Sequence, residues 1–117
     1  MLRKVRLELA RCHHFPEGSR RHGYELSLPL TPAGKLDRDG FEKDRRRAGF
    51  RRFWGEEEEH HGLLLHRGEG WRLSFAAGDE VDEVIFRGDE HRFVVGDYVS
   101  IKEHDGETRT FRVATVT

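Results

Sequence analysis

Apolar and polar positions alternate regularly toward the C-terminal end of the sequence. A single polar residue separates Val99 from Ile101, and the same alternation returns at Phe111 after an Asp-Gly dipeptide. Alternation with a period of two places one set of side chains on a core face and the other in solvent. A three-residue loop at 104–106 pairs Val99 with Phe111 and puts its glycine where a left-handed conformation is needed. This segment therefore predicts a β-hairpin.

Two further hairpins are predicted upstream if facing apolar residues lie on the same side of the sheet. A register slip of one residue would move every side chain to the other face, so the apolar positions fix the loop length. Consecutive hairpins of this kind predict an antiparallel meander. The predicted pairs are Leu63 and Leu65 with Leu73 and Phe75, through a loop at 68–70, and Val84 and Phe86 with His91, Phe93 and Val95, through a turn at 88–89.

The N-terminal half contains two alternating segments, 2–11 and 24–30, which we predict to be strands. The residues between them, 12–22, form a loop by their Pro, Gly and Ser content. The segment 50–54 is a candidate strand that fits neither the strand nor the helix period cleanly, and the acidic run 55–62 is predicted to be a loop. The inward-facing sets are Val5, Leu7 and Leu9 in the first strand and Tyr24, Leu26, Leu28 and Leu30 in the second.

One helix is predicted, at 40–48. Asp39 is a favourable N-cap residue, and Glu42 stands three positions later, which is the spacing of a capping box. Gly49 supplies a stop signal at the C-terminal end. A helix this short is not stable in water by itself, so we expect it to pack on the sheet through Phe41.

These elements predict a mainly β fold, a small antiparallel β-barrel or roll of about eight strands with one short helix near 40–48. A closed barrel also leaves no exposed strand edge. The length of 117 residues fits a single domain, 1–117. A two-layer α+β roll is the alternative.

The composition changes this picture in few respects. Charged residues make up 37% of the chain and hydrophobic residues 35%, which favours disorder, but the regular placement of the apolar residues indicates a folded core. The net charge of −1 gives no overall field that would attract nucleic acid or a membrane. Cys12 is the single cysteine, so no internal disulfide is expected. The sequence shows neither a signal peptide nor an apolar run of membrane-spanning length, and we expect a cytoplasmic location.

The segment 45–54 combines five arginines with three aromatic residues and contains no acid. Arginines contact phosphates and aromatic rings stack on bases, so this composition is typical of surfaces that bind single-stranded nucleic acid. In that interpretation Arg51, Arg52 and Trp54 contact the ligand. The alternative is that the arginines lie in solvent and pair with nearby acids, while the aromatic residues fill the core.

The sequence is rich in histidine, with eight residues that include two doublets. Imidazole is a good ligand for Zn, Ni and Cu. No spacing matches a known ligand motif, so the alternative is a set of surface and loop histidines. The candidate metal-ligating residues are His13, His14, His60 and His61.

The polar segment 15–25 is a second candidate ligand-binding region. The alternative is an ordinary connection between the first two strands. The sequence contains no nucleophile elbow, phosphate-binding loop or dinucleotide fingerprint, so no catalytic residue is proposed. Beside a tyrosine, the segment contains Arg20, Arg21, His22 and Glu25.

Four phrases occur in a fixed order along most of the chain. They are FPEGSRRHGYEL (15–26), RRFWGEE (51–57), GLLLHRGEGWRLSF (62–75) and GDYVSIKEHDGETRTFRV (96–113). Together they resemble a family of small uncharacterised bacterial proteins of similar length. The resemblance implies one compact domain in a bacterial cytosol, and it transfers no functional residue, cofactor or partner.

We therefore expect a small cytoplasmic bacterial β-barrel that acts as a non-catalytic binding module for single-stranded nucleic acid or a small ligand. One alternative is a histidine-dependent metal-binding enzyme or sensor. Another is a protein-interaction subunit that forms a homodimer. The sequence identifies no cofactor. The candidate ligand-binding residues are Arg20, Arg21, His22, Glu25, Arg51, Arg52 and Trp54.

Overall fold

The computed structural model describes residues 2–67, 70–75, 83–87, 92–103 and 105–117, and at 67, 75 and 83–87 it describes the backbone alone. Within these ranges the chain forms eight strands and one helix, α1 (Arg38–Asp44). The strands are β1 (Leu2–Leu9), β2 (Ser19–Pro29), β3 (Gly49–Trp54), β4 (His60–Arg67), β5 (Gly70–Phe75), β6 (Glu83–Arg87), β7 (Tyr98–Lys102) and β8 (Thr108–Val116).

The eight strands close into an antiparallel barrel in the order in which they occur along the chain. Each strand pairs with the next one, and β8 returns to pair with β1, where Val5 lies opposite Val116. The seam between β6 and β7 is narrow, because Val84 and Lys102 are the one residue pair that joins the described parts of these strands. The predicted antiparallel β-barrel with one short helix is therefore confirmed.

Alternation along the strands fills the barrel with apolar side chains. At one end, which we name the helix end, Phe41 of α1 packs edge-on against Trp71 with ring centroids 5.3 Å apart. The opposite end, where β3 and β7 finish and β2 and β8 begin, is the turn end. Leu30 lies just beyond β2 and is half-buried. The other inward residues predicted for β1 and β2 are all buried: Val5, Leu7, Leu9, Tyr24, Leu26 and Leu28.

The predicted C-terminal hairpin is confirmed. Val99 lies opposite Phe111, as the three-residue loop requires. The N–H of Glu103 donates to the carbonyl of Glu107 at 2.8 Å, which closes the loop. Gly106 has φ of +85°, in the left-handed region that favours glycine.

The predicted register of the β4–β5 hairpin is wrong by one residue. Leu64 lies opposite Leu73 and both are fully buried, whereas Leu63 is 47% exposed. Gly62 is the physical reason, because a Cβ there would stand 1.9 Å from the carbonyl oxygen of Ser74 and 2.5 Å from a carbon of the Phe50 ring. With Gly62 under this ring, the even-numbered residues of β4 face the core, and Arg67 lies opposite Gly70. Residues 68 and 69 of the predicted loop lie outside the described residues.

The other predicted hairpin, built on β6, is also wrong. Residues 92–95 form no strand, and β6 pairs with β7 instead. Phe93 is buried, but its N–H donates to the carbonyl of Gly34 at 2.7 Å, in the loop that precedes α1. The segment therefore lies against that loop at the helix end. The predicted turn at 88–89 and His91 lie outside the described residues.

Two strands begin earlier than predicted. β2 starts at Ser19, so the last four residues of the predicted loop 12–22 belong to the strand. β4 starts at His60, inside the segment 55–62 that we predicted to be a loop. In both cases polar residues continue the ladder past the last apolar position, where alternation gives no signal. The segment 50–54 does form a strand, β3.

The helix α1 begins and ends earlier than predicted, at Arg38 and Asp44. Asp37 rather than Asp39 is the N-cap, because its backbone is extended and its Oδ1 accepts from the N–H of Asp39 at 3.1 Å. The N–H of Asp37 donates to the carbonyl of Pro29 at 2.8 Å, so the end of β2 fixes the start of the helix. In the described part of the chain, no helix has the length and apolar character needed to cross a membrane.

Candidate functional site

A buried carboxylate lies at the turn end of the barrel, immediately after β7. The side chain of Glu103 has no solvent exposure, and it accepts three hydrogen bonds. Its Oε2 accepts from the Tyr24 hydroxyl at 2.5 Å and from Nε of Arg52 at 2.8 Å. Its Oε1 accepts from Nη1 of Arg109 at 2.7 Å. These four residues form what we name the buried cluster.

Trp54 packs against the guanidinium groups of the buried cluster. Cζ of Arg52 lies 4.1 Å from the centroid of the indole, and Cζ of Arg109 lies 5.5 Å from it. The face of an indole attracts cations in this arrangement. Phe111 approaches the same ring edge-on, with centroids 6.4 Å apart. The side chain of Trp54 therefore belongs to the barrel interior.

The surroundings of the buried cluster keep both arginines charged. Burial lowers the pKa of Arg52, but the hydrogen bond and the charge of Glu103 outweigh burial, so the pKa of Arg52 is raised. The pKa of Arg109 is raised mainly by its hydrogen bonds to Asp105, and Glu103 adds to the effect. Glu103 carries one negative charge against the two guanidinium groups, and Asp105 supplies a second carboxylate to Arg109. The donors of the cluster already point at Glu103. This arrangement holds the turn end together as an internal ion-pair network.

His22 lies in β2 next to the buried cluster. Its Nδ1 is 2.6 Å from the hydroxyl oxygen of Ser19. Its ring packs against Phe15, with centroids 4.6 Å apart, and edge-on against Trp54, with centroids 4.8 Å apart. His22 thereby links the loop before β2 to the interior of the turn end.

The pKa of His22 is lowered from its ordinary value. Burial is the largest cause, and the positive charges of Arg21 and Arg52 act in the same direction, while Glu57 opposes them. The imidazole is therefore neutral at neutral pH. Nδ1 and the Ser19 hydroxyl share a hydrogen bond, in which the tautomer of the ring decides which group donates.

On the outside of the barrel, a row of charged residues crosses three strands. The register places Arg6, Glu25 and Arg51 side by side on β1, β2 and β3. Oε1 of Glu25 accepts from Nη1 of Arg6 at 3.0 Å and from Nη2 of Arg51 at 2.6 Å. Arg6 also pairs with Glu8 at 2.8 Å, and Arg51 pairs with Glu59 at 2.7 Å. In this charged row, both arginines are therefore held between carboxylates.

The charged row also covers an aromatic ring. Phe53 lies on the outward face of β3, yet it is only 8% exposed. Cζ of Arg6 lies 4.5 Å from the centroid of this ring, and Cζ of Arg51 lies 5.3 Å from it. An arginine inside the barrel and a phenylalanine outside it explain why 50–54 fits neither period in the sequence.

A second row, next to the charged row, contains small residues at its centre. Lys4, Ser27, Gly49 and Leu63 lie side by side on β1, β2, β3 and β4. Ser27 and Gly49 have little or no side chain, so the outer wall is depressed between Lys4 and Leu63. The depression is a groove of about 450 Å³, which the charged row and Arg47 also line. We name these four residues the open row and the depression the groove.

The predicted ligand-binding residues do not share one surface. Successive side chains of a strand point to opposite faces, so residues adjacent in the sequence are separated by the barrel wall. Within the predicted set, the groove brings together one carboxylate and one arginine. Glu25 and Arg51 line the groove, His22, Arg52 and Trp54 lie inside the turn end, and Arg20 and Arg21 are exposed at the start of β2.

The candidate metal-ligating histidines also lie apart. His13 and His14 are exposed in the loop before β2, with ring centroids 5.3 Å apart. His60 and His61 are consecutive in β4 and so point to opposite faces. Among the described residues, no group of three or more His, Cys, Asp or Glu side chains could hold a metal ion. Metal binding stays a prediction.

Several residues of these sites were not among the predicted ones. Glu103 continues the inward series of Val99 and Ile101, and an acid at such a position signals a buried partner. This signal was available in the sequence. The sequence signal for the groove is weaker. Ser27 and Gly49 are small residues at outward positions, and only the register shows that they are adjacent.

Comparison with known proteins supplies no relative. No family model, curated protein or solved structure matches the chain. The resemblance to a family of small bacterial proteins therefore stays a prediction, and we argue the function from the residues alone.

Proposed function

We propose that this chain is a cytoplasmic, non-catalytic binding module that holds a small ligand in the groove. The observation that carries the proposal is the depression that Ser27 and Gly49 leave between Lys4 and Leu63. Its volume of about 450 Å³ lies within the range typical of small-molecule sites, roughly 300–1,000 Å³. The proposal keeps Glu25 and Arg51 from the residues predicted by the sequence.

The chemistry of the lining supports binding. The groove presents ammonium and guanidinium groups together with the hydroxyls of Ser27, Thr115 and Thr117. These groups donate hydrogen bonds to a ligand, and Leu63 adds an apolar contact. All residues that line the groove lie on strands, except Arg47 and Thr117. The site is thus built on the barrel wall, and little conformational freedom is lost on binding.

Single-stranded nucleic acid on the segment 45–54 is the other ligand that the sequence suggests. The geometry favours the small ligand, because Arg52 and Trp54 are engaged in the interior with Glu103. Arg51 is engaged outside with two acids. Phosphate contacts by either arginine would have to replace these ion pairs.

The test is a titration of ¹⁵N-labelled protein, followed by amide chemical shifts. The ligands are a panel of sugars, amino acids, organic acids and mononucleotides, together with a short oligothymidylate. We expect shift changes centred on the open row. Ser27→Trp fills the groove from an outward position and should abolish binding, while its matched control Ser100→Trp, on the outward face of β7, should retain it.

Three results would contradict the proposal. The first is binding that Ser27→Trp leaves intact. The second is a set of shift changes centred on His22 and Trp54 at the turn end. The third is tight binding of the oligothymidylate that weakens steeply with salt, which would favour the nucleic-acid interpretation.

A further inference from the structure

We infer that the ligand of the groove is a small organic anion, which carries a carboxylate or phosphate group and an apolar part. This inference rests on the proposed function and adds the chemical class of the ligand. It follows from which charges of the groove are already compensated and which are not.

The cations of the charged row are compensated by the protein itself. Arg6 has carboxylate oxygens of Glu8 and Glu25 at 2.8 and 3.0 Å. Arg51 has carboxylate oxygens of Glu25 and Glu59 at 2.6 and 2.7 Å. The charged row thus consists of ion pairs and contributes little net charge to the groove.

The two remaining cations of the groove are available. Lys4 is exposed, and none of the described acids lies within ion-pairing distance of it. The side chain of Arg47 is 78% exposed, and the contact of its Nη1 with Asp44, at 3.9 Å, lies at the limit for an ion pair. An anion bound here gains two charge-assisted contacts without displacing a tight ion pair.

Hydroxyl groups add donors around these cations. Ser27 stands beside Lys4 on the adjacent strand. Two backbone hydrogen bonds, of 3.0 and 2.9 Å, hold Thr117 against Lys4 on the other side, and Thr115 also lines the groove. Ammonium, guanidinium and hydroxyl donors in one depression match a carboxylate or phosphate group, which offers several acceptor oxygens.

The far end of the open row is apolar. Leu63 is 47% exposed, which is unusual for a leucine in a barrel whose other described leucines are mostly buried. From Lys4 to Leu63 the row spans three strand spacings, roughly 14 Å. A molecule that lies along the row can thus place its anionic group near Lys4 and its apolar part against Leu63.

A long polyanion fits the groove less well. Glu8, Glu25 and Glu59 border or line it, so phosphates that extend past Lys4 and Arg47 would meet carboxylates. Repulsion between like charges opposes such contacts. The local charge pattern therefore favours a single anionic group.

The test uses phenyl phosphate, benzoate, neutral benzamide and inorganic phosphate as probes, in titrations followed by amide shifts. We expect phenyl phosphate or benzoate to bind in the groove and benzamide to bind at least about tenfold more weakly. Lys4→Gln combined with Arg47→Gln should weaken anion binding by about tenfold or more. The matched control, Lys35→Gln with Arg46→Gln, removes the same charge from exposed positions outside the groove and should have little effect.

Two comparisons refine the ligand class. The ratio between phenyl phosphate and benzoate shows whether the site prefers phosphate or carboxylate. Leu63→Ser should weaken binding of phenyl phosphate and leave inorganic phosphate unchanged, because only the first has an apolar part.

The failures are distinguishable. The anion inference is wrong if benzamide binds as tightly as benzoate. It is also wrong if Lys4→Gln with Arg47→Gln binds anions as well as its control does. In either case the groove remains a binding site if Ser27→Trp still blocks binding. If none of the four probes binds, the anion inference is wrong, and the wider ligand panel decides whether the groove binds anything. If an oligothymidylate displaces phenyl phosphate at lower concentration, the ligand is not a small anion.

Discussion

Arg51 and Arg52 are neighbours in the sequence and lie on opposite sides of the barrel wall. Arg51 pairs with Glu25 and Glu59 on the outer surface. Arg52 pairs with Glu103 in the interior, where the side chain of Glu103 has no solvent exposure. The same residue type thus forms ion pairs in two very different environments, and the surface and buried pairs should respond differently to mutation.

Glu103→Gln should lower the free energy of unfolding by about 3–5 kcal/mol, because removal of this carboxylate leaves the buried guanidinium of Arg52 uncompensated. The substitution also removes a strong acceptor from the Tyr24 hydroxyl. The matched control is Glu59→Gln, which breaks the ion pair with Arg51 at the surface. We expect a loss of about 1 kcal/mol or less there, since solvent screens exposed pairs.

Urea unfolding followed by tryptophan fluorescence measures both variants. Equal losses for Glu103→Gln and Glu59→Gln would mean that the buried cluster does not hold the turn end together.

Leu64→Ala should destabilise the protein by about 2–5 kcal/mol, because it opens a cavity among fully buried side chains. Leu63→Ala should change stability by less than about 0.5 kcal/mol, because this side chain faces outward at the groove. Thermal or urea unfolding of the two variants decides the β4–β5 register. A larger loss for Leu63→Ala would restore the register that the sequence predicted.

His22 should make the protein less stable as the pH falls. Its pKa in the folded state is lowered by burial and by the charges of Arg21 and Arg52, whereas an unfolded chain titrates near the ordinary value of 6.5. The unfolded state therefore takes up the proton at a higher pH than the folded state does. The contribution of His22 to stability is present above about pH 6.5 and is lost as the pH drops below it.

His22→Gln should flatten this dependence between about pH 7.5 and about pH 5.5, as measured by urea unfolding. An NMR titration of the imidazole gives the folded-state pKa of His22 directly. A midpoint at or above the ordinary histidine value would contradict the assignment, as would a variant whose stability varies with pH as strongly as that of the parent.

Arg6→Gln should lower the free energy of unfolding by about 1 kcal/mol, because it uncovers the ring of Phe53 and breaks two partly exposed ion pairs. Arg20→Gln is the control, since Arg20 is an exposed arginine in the adjacent strand. It should have an effect within about 0.5 kcal/mol. Chemical denaturation gives the free energy of unfolding of both variants. If Arg6→Gln is as stable as the control, the contact of Arg6 with the Phe53 ring does not stabilise the fold.

The barrel could be predicted because most of its strands obey simple alternation. The inward positions of β1 and β2 are apolar without interruption from Val5 to Leu9 and from Tyr24 to Leu28. In the C-terminal hairpin, the position of Gly106 and the parity of Val99 and Phe111 agree on the same loop. In these segments the turn residues and the burial of apolar side chains predict the same register.

Alternation fails where interactions between strands decide the face. In β3, Arg52 can face inward because it forms an ion pair with the buried Glu103. Phe53 can face outward because guanidinium groups cover its ring. In β4, a run of leucines fits either face, and the packing of Gly62 under Phe50 selects one. These partners are distant in the sequence, so no local pattern contains the information.

The groove could not be predicted for a related reason. Lys4, Ser27, Gly49 and Leu63 become neighbours only through the registers of three strand pairs. An error of one residue in any of these registers would replace a member of the row. The small residues at its centre also form no motif, because small outward residues are common in strands.

The pairing of β1 with β8 has a consequence for how the chain folds. Leu7 lies opposite Val113, so the first strand of the barrel receives its second neighbour from the last one. Contacts between such distant segments require closure of a long loop and are typical of slow folding. During synthesis, β1 and β2 are available long before β8 leaves the ribosome. We therefore expect the edge of β1 that pairs with β8 to stay unpaired while the rest of the chain is synthesised. The barrel can close only after β8 has been translated.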